Sequence, residues 1–293
     1  TDVQAGTLAL GAAGVLGDAS ALNVAAGATF DMNNHSETVA AVTSGGTLTG
    51  TGGTTLTAAS YTFAGGTVDV NLGAGTLTQS SGSTTLNGTV GALTVNVDGG
   101  TLVLGASNRL ANTAAVTVAS GATLDLASFN DTVGTFASGG TLSGTGTLTA
   151  TSYTLSGGTI DGNLGAGTLT QASGSTTLNG TAGATTVNID GGTLLLGAAD
   201  RLANTASISV NGGSLDIGAN NDSVGAVTLV GGSIDGTSGV LTGTSYAVQS
   251  GSISAILGGT AGLTKTTAGT VTLSGANTYS GTTTVTNSGV VFG

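Results

Sequence analysis

Residues 100–105 read GTLVLG, and the string returns with small changes as GTLALG from Gly6 and GTLLLG from Gly192. The two intervals are 94 and 92 residues. Within the string Leu102 and Leu104 share one side of an extended chain, and Thr101 and Val103 share the other. An alternating run closed by glycine is a short strand between tight corners. The corresponding leucines are Leu8 and Leu10 in the first copy and Leu194 and Leu196 in the third. All six are expected to point into a core.

Outward from this string the surroundings repeat as well. LGAGTLTQ at Leu72 recurs at Leu164, and TTLNGT at Thr84 recurs at Thr176. Tyr61, Tyr153 and Tyr246 correspond, as do Phe30, Leu124 and Leu215, and Met32, Leu126 and Ile217. The 293 residues therefore read as three copies, 7–100, 101–192 and 193–289, the last diverging after Tyr246. The second copy divides into 101–121, 122–140, 141–158, 159–175 and 176–192, each opening on a strand and closing near glycine. Four turns of 23 residues also fit the period of 92, but the five strand-led pieces fit better. A turn this small cannot bury its own apolar side and is stable only against neighbours above and below. The expected fold is all-β: a right-handed parallel β-helix, or β-solenoid, of about 15 rungs of ~17–21 residues. Residues 1–293 are expected to be a single solenoid segment of a longer protein, because the chain starts at Thr1 and shows no signal peptide.

Composition agrees with a thin, stacked core. There are 55 glycines and no proline, which would remove a ladder donor from every sheet it entered. Charged residues make up 6% of the chain, where about 25% is usual. Mean hydropathy is +0.38, so this is not a charge-rich disordered chain. With 14 acids against 3 bases the net charge is −11, which argues against nucleic acid and anionic membranes as partners. No cysteine is present to form a disulfide or hold a metal, and no apolar stretch reaches the ~20 residues of a membrane helix.

Candidates for chemistry repeat with the scaffold. Asp31, Asp125 and Asp216 form one equivalent set, and Glu37, Asp131 and Asp222 a second. Asp69, Asp161 and Asp235 form a third, and Asp98 and Asp190 a fourth. An active site is one irregular constellation, so periodic carboxylates are expected to cap turns and maintain solubility. His35, the only histidine, is replaced by Phe129 and Asn220 in the other copies. Arg109 and Arg201 stand where the first copy has Val15 and are expected to be exposed decoration. No catalytic, cofactor-binding or metal-binding residue is assigned. T-x-T triplets at 55–57, 76–78, 147–149 and 168–170 suggest the threonine arrays of ice-binding solenoids. Their differing offsets within the rungs give no continuous rank in the sequence.

From Gly262 the chain reads GLTKTTAGTVTLSGANTYSGTTTVTNSGVV. This resembles the passenger-associated transport repeat of autotransporters at Gly262, Leu263, Lys265, Gly269, Thr270, Leu273, Gly275, Asn277, Tyr279, Gly281, Thr283 and Val285. Thr267 and Val271 depart from its usual Gly and Leu. LGASNRLANTAAVTVASGATLDL and LSGTGTLT also look like passenger sequence. The resemblance implies a β-helical passenger, carried to the bacterial cell surface or secreted, with a C-terminal outer-membrane barrel outside this segment. The expected function is a structural or adhesive stalk, not an enzyme. Its partners would be host or neighbouring-cell surfaces, glycans or matrix, with self-association also open. The alternatives are a polysaccharide-processing β-helix, which needs two or three non-equivalent carboxylates in one groove, and a self-associating biofilm filament.

Overall fold

The computed structural model describes residues 1–287 and 289–293. The fold is all-β, a solenoid of about 15 turns built from parallel stacked sheets, with no helix among the described residues. The chain separates into two compact units, Thr1–Ala150 and Thr151–Gly293.

In the first unit, sheet A stacks Asp2–Val3, Ala21–Val24, Ala41–Ser44, Ser60–Phe63, Thr76–Gln79, Thr94–Val97, Ala115–Val118 and Thr135–Ser138. Sheet B stacks Thr7–Ala9, Thr29–Asp31, Thr47–Thr49, Gly66–Val68, Ser83–Leu86, Thr101–Leu104, Thr123–Asp125 and Thr141–Ser143. Each rung gives one strand to A, turns a corner, and gives one to B. The third side, C, carries short separate sheets instead of one continuous one: Glu37–Thr38, Thr55–Thr57 and Asn71–Leu72 form the first, and Asp131–Thr132 and Thr147–Thr149 belong to another. The second unit has the same plan, with Ser152–Leu155 opening its part of sheet A and Gly158–Ile160 its part of sheet B.

The strands fall where the alternation puts them. Thr101, Leu102 and Val103 pair in register with Thr123, Leu124 and Asp125 on the next rung. Leu102, Leu104, Leu124 and Leu126 are fully buried, as are Leu194 and Leu215. Each buried leucine contributes about 1.5–3 kcal/mol. Sheet B strands start at Thr101, Thr123, Thr141, Gly158, Ser175 and Thr193, so one copy contains five rungs. Leu8 departs from the expectation: it is 37% exposed. It sits on the first strand of sheet B and has a paired strand, Thr29–Asp31, on one side only.

Corners need glycine where rungs approach closely. At Gly66, φ is +91° and a Cβ would fall 1.9 Å from the Gly46 carbonyl oxygen. Neither the conformation nor the space admits a side chain. Inside the A–B corner, polar side chains at the ends of sheet A strands bond the corner carbonyls. Buried Gln79 and Gln171 donate from Nε2 to Ser81 O (2.5 Å) and Ser173 O (2.6 Å). Buried Lys265 donates from Nζ to Gln249 O (3.0 Å) and Thr267 O (2.6 Å).

Candidate functional site

The most polar interior feature is a carboxylate clamp that recurs in all three copies. Once per copy, the C side of a rung widens into a loop, at residues 10–20, 105–113 and 197–205. The wide loops of the second and third copies meet the ladder through the Arg109 and Arg201 carbonyls, which accept from Val90 and Ala182 N–H, so the amides beside these carbonyls need other acceptors. The next rung supplies one. Glu37 Oε2 accepts from the N–H groups of Val15 (3.0 Å) and Leu16 (3.2 Å). Asp131 Oδ2 accepts from Arg109 (2.7 Å) and Leu110 (3.1 Å), and Asp222 Oδ2 from Arg201 (2.8 Å) and Leu202 (3.1 Å).

These three acids are turn caps, as expected, but they are not solubilising. Glu37, Asp131 and Asp222 are 2%, 1% and 1% exposed. Burial raises the pKa of Asp131 and Asp222, against the opposing pull of the amide bonds from Leu110 and Leu202. Asp131 Oδ1 also accepts from Thr132 N, whereas Asp222 Oδ1 is buried without a partner.

Arg109 and Arg201 are not the exposed decoration expected of them. Arg109 Nη1 donates to Asn87 O and Nε to Ser107 O; Arg201 repeats this with Asn179 O and Ala199 O. Both are half-buried pins that tie the wide loop to the rung before it. Val15 cannot do this, and it is 54% exposed.

The remaining acids act locally. Asp31, Asp125 and Asp216 each accept at Oδ1 from the amide two residues on, at Asn33, Ala127 and Gly218 (2.7–2.8 Å). Asp69 and Asp161 are exposed and accept from Asn87 and Asn179 Nδ2 at 2.7 Å. Asp235 accepts from the hydroxyls of Ser214 (2.7 Å) and Ser233 (2.6 Å). Asp98 and Asp190 lie exposed at corners, and Asp190 accepts from Asn211 Nδ2 at 2.6 Å. His35, Phe129 and Asn220 all donate their backbone N–H to the carbonyl three residues back, so the position is defined by its turn. No group of three or more His, Cys, Asp or Glu residues that could hold a metal occurs among the described residues.

Charge is distributed unevenly among the faces. Of the acids, only Asp2 lies on a strand of sheet A. The outward positions of that sheet are Thr, Ser, Asn and Ala from Ala21 to Ala137. No family model, curated protein or solved structure matches this chain.

Proposed function

We propose that this chain is a structural or adhesive stalk of a bacterial surface or secreted protein of the autotransporter type. The observation that carries this reading is the fit of the passenger-like motif to the rung geometry. Its lysine, Lys265, closes the A–B corner from inside. Asn277 Oδ1 accepts from Leu257 N at 2.9 Å, tying its loop to the rung below. Tyr279 lies 6.1 Å from Tyr246, ring centroid to centroid, and its hydroxyl is 2.8 Å from Thr283 Oγ1. A Cβ at Gly275 would fall 2.2 Å from Ala255 O. Each of these residues ties one rung to the next or to its own corner, as a repeat stabilised by its neighbours requires.

The reading is supported further by the acids, which cap and clamp turns at repeat positions. A stalk of this kind would meet glycans, matrix or other cells through its neutral, hydroxyl-rich faces. The test is to display residues 1–293 on bacteria through an outer-membrane barrel. Increased settling, or increased attachment to glycan-coated or cell-coated surfaces relative to the barrel alone, is the expected result. No change in either, with the segment folded and exposed, would overturn the proposal.

A further inference from the structure

We propose that the outward face of sheet A binds ice, an activity independent of the adhesive reading. The sequence hides this face because its T-x-T triplets sit at different offsets. The structure sorts them: 55–57 and 147–149 lie on two separate short sheets of the C side, whereas 76–78 and 168–170 lie on sheet A. On sheet A, Ser60 pairs with Thr76 and Thr76 with Thr94, while Thr62 pairs with Thr78 and Thr78 with Asn96. These six side chains form two parallel ranks across three rungs. The second unit repeats the block with the same residue types: Ser152, Thr168 and Thr186 in one rank, Thr154, Thr170 and Asn188 in the other.

Three observations point to ice as the occupant. The first is the lattice. Neighbouring rungs are ~4.8 Å apart and alternate residues on one parallel strand ~6.6 Å apart. The face is thus a two-dimensional grid: its rung repeat lies close to the shorter oxygen repeat of an ice prism face, and its along-strand repeat is roughly a tenth shorter than the longer one. The second is chemistry. All six side chains of the first block are exposed or half-exposed, and among the described residues no intramolecular side-chain hydrogen bond engages them. Threonine presents a hydroxyl beside a methyl on a stiff, branched stem, so it can hold one water and order its neighbours without first losing much side-chain freedom.

The third is what the face lacks. The net charge of −11 is carried elsewhere, since no charged side chain points outward from these strands. Charged groups hold their own hydration shells and would interrupt an ice-like layer. Tight protein–protein contacts are anchored by aromatic and arginine side chains, and these strands present none outward; Tyr61 and Tyr153 point into the core. A neutral, regular, hydrogen-bonding grid best matches a neutral crystalline surface.

The experiment uses residues 1–293 in buffer with a growing ice crystal. Faceting of the crystal and a gap between its melting and freezing temperatures are expected. The double variant Thr78→Lys, Thr170→Lys should lose both effects. Thr57→Lys, Thr149→Lys, which alters the triplets on the short sheets of the C side, should keep them. Circular dichroism checks that each variant is folded, and Thr78→Tyr with Thr170→Tyr provides a second, strand-compatible disruption. Absence of faceting by the unaltered chain would overturn the proposal. So would equal loss from the sheet A and C-side variants, or full activity in the folded sheet A variants.

Discussion

Ala127 has φ +50°, in the left-handed region, where its counterparts are Asn33 (φ +54°) and Gly218 (φ +54°). Asn and Gly tolerate this region, while alanine incurs roughly 1–2 kcal/mol through contact of its Cβ with backbone. Ala127→Gly should therefore stabilise the chain by about 1 kcal/mol, partly offset by the greater freedom of glycine when unfolded, as read from a denaturant midpoint. Thr84 offers a second case. Its hydroxyl is fully buried without a hydrogen-bond partner, and its strand partner is Leu102. An unmet buried hydroxyl costs about 1–3 kcal/mol. Thr84→Val keeps the shape, removes that cost and should raise the midpoint; Thr176→Val should add a similar gain. A fall in midpoint for either would mean that the hydroxyl has a partner. Neither effect was legible in the sequence, where Thr84 reads as one more polar residue. Its burial depends on which way Ser83–Leu86 faces beside Leu102, and that is set by register.

Strands and corners were legible because they are local. Alternation places Leu102 and Leu104 inside, and glycine marks each bend. The clamps were not, because burial of Glu37, Asp131 and Asp222 is created by a loop on the preceding rung, 21 or 22 residues away. The sheet A ranks were hidden for a related reason. Four successive strands of that sheet start at Ser60, Thr76, Thr94 and Ala115, in steps of 16, 18 and 21 residues. Corners and loops absorb the insertions while the ladder keeps its register. At this scale stability should be local, because a rung contacts only its neighbours. Leu104→Ala should cost about 2–5 kcal/mol, and Leu104→Asp more, since it buries an unpaired carboxylate. Hydrogen exchange should show protection lost around Thr101–Leu104 and the strands beside it, with Ser207–Val210 unaffected. Uniform loss along the chain would contradict stacking by nearest neighbours.

For the molecule as a whole, acidity is the informative variable. Burial raises the pKa of Asp131 and Asp222 in the fold. Between the unfolded value of about 3.9 and that raised value, the folded chain binds more protons than the unfolded chain. Stability therefore increases as pH falls through the folded pKa, and the gain is complete below the unfolded one. Neutralising part of the −11 net charge acts in the same direction by reducing self-repulsion. The thermal midpoint should thus be higher at about pH 4, near the unfolded carboxylate value, than at pH 7. An Asp131→Asn, Asp222→Asn variant should show a smaller difference. A midpoint that falls on mild acidification would mean that the amide bonds outweigh burial at the clamps.

The clamp also bears on how such a chain can change length in inheritance. Each carboxylate and the loop it holds lie on successive rungs, and the pattern recurs with the 92-residue copy. Similar tandem copies invite unequal recombination, which adds or removes whole copies. Deleting residues 101–192 joins Gly100 to Thr193, restores the Gly-Thr step, and leaves Arg201 with Asp222. That shortened chain should fold and melt cooperatively. Deleting residues 123–140 alone removes one rung together with Asp131, leaving the amides of Arg109 and Leu110 without their acceptor. It should be markedly less stable, although it is the smaller cut. Length in this protein would then be inherited in quanta of one copy, with single rungs filtered out by their orphaned loops.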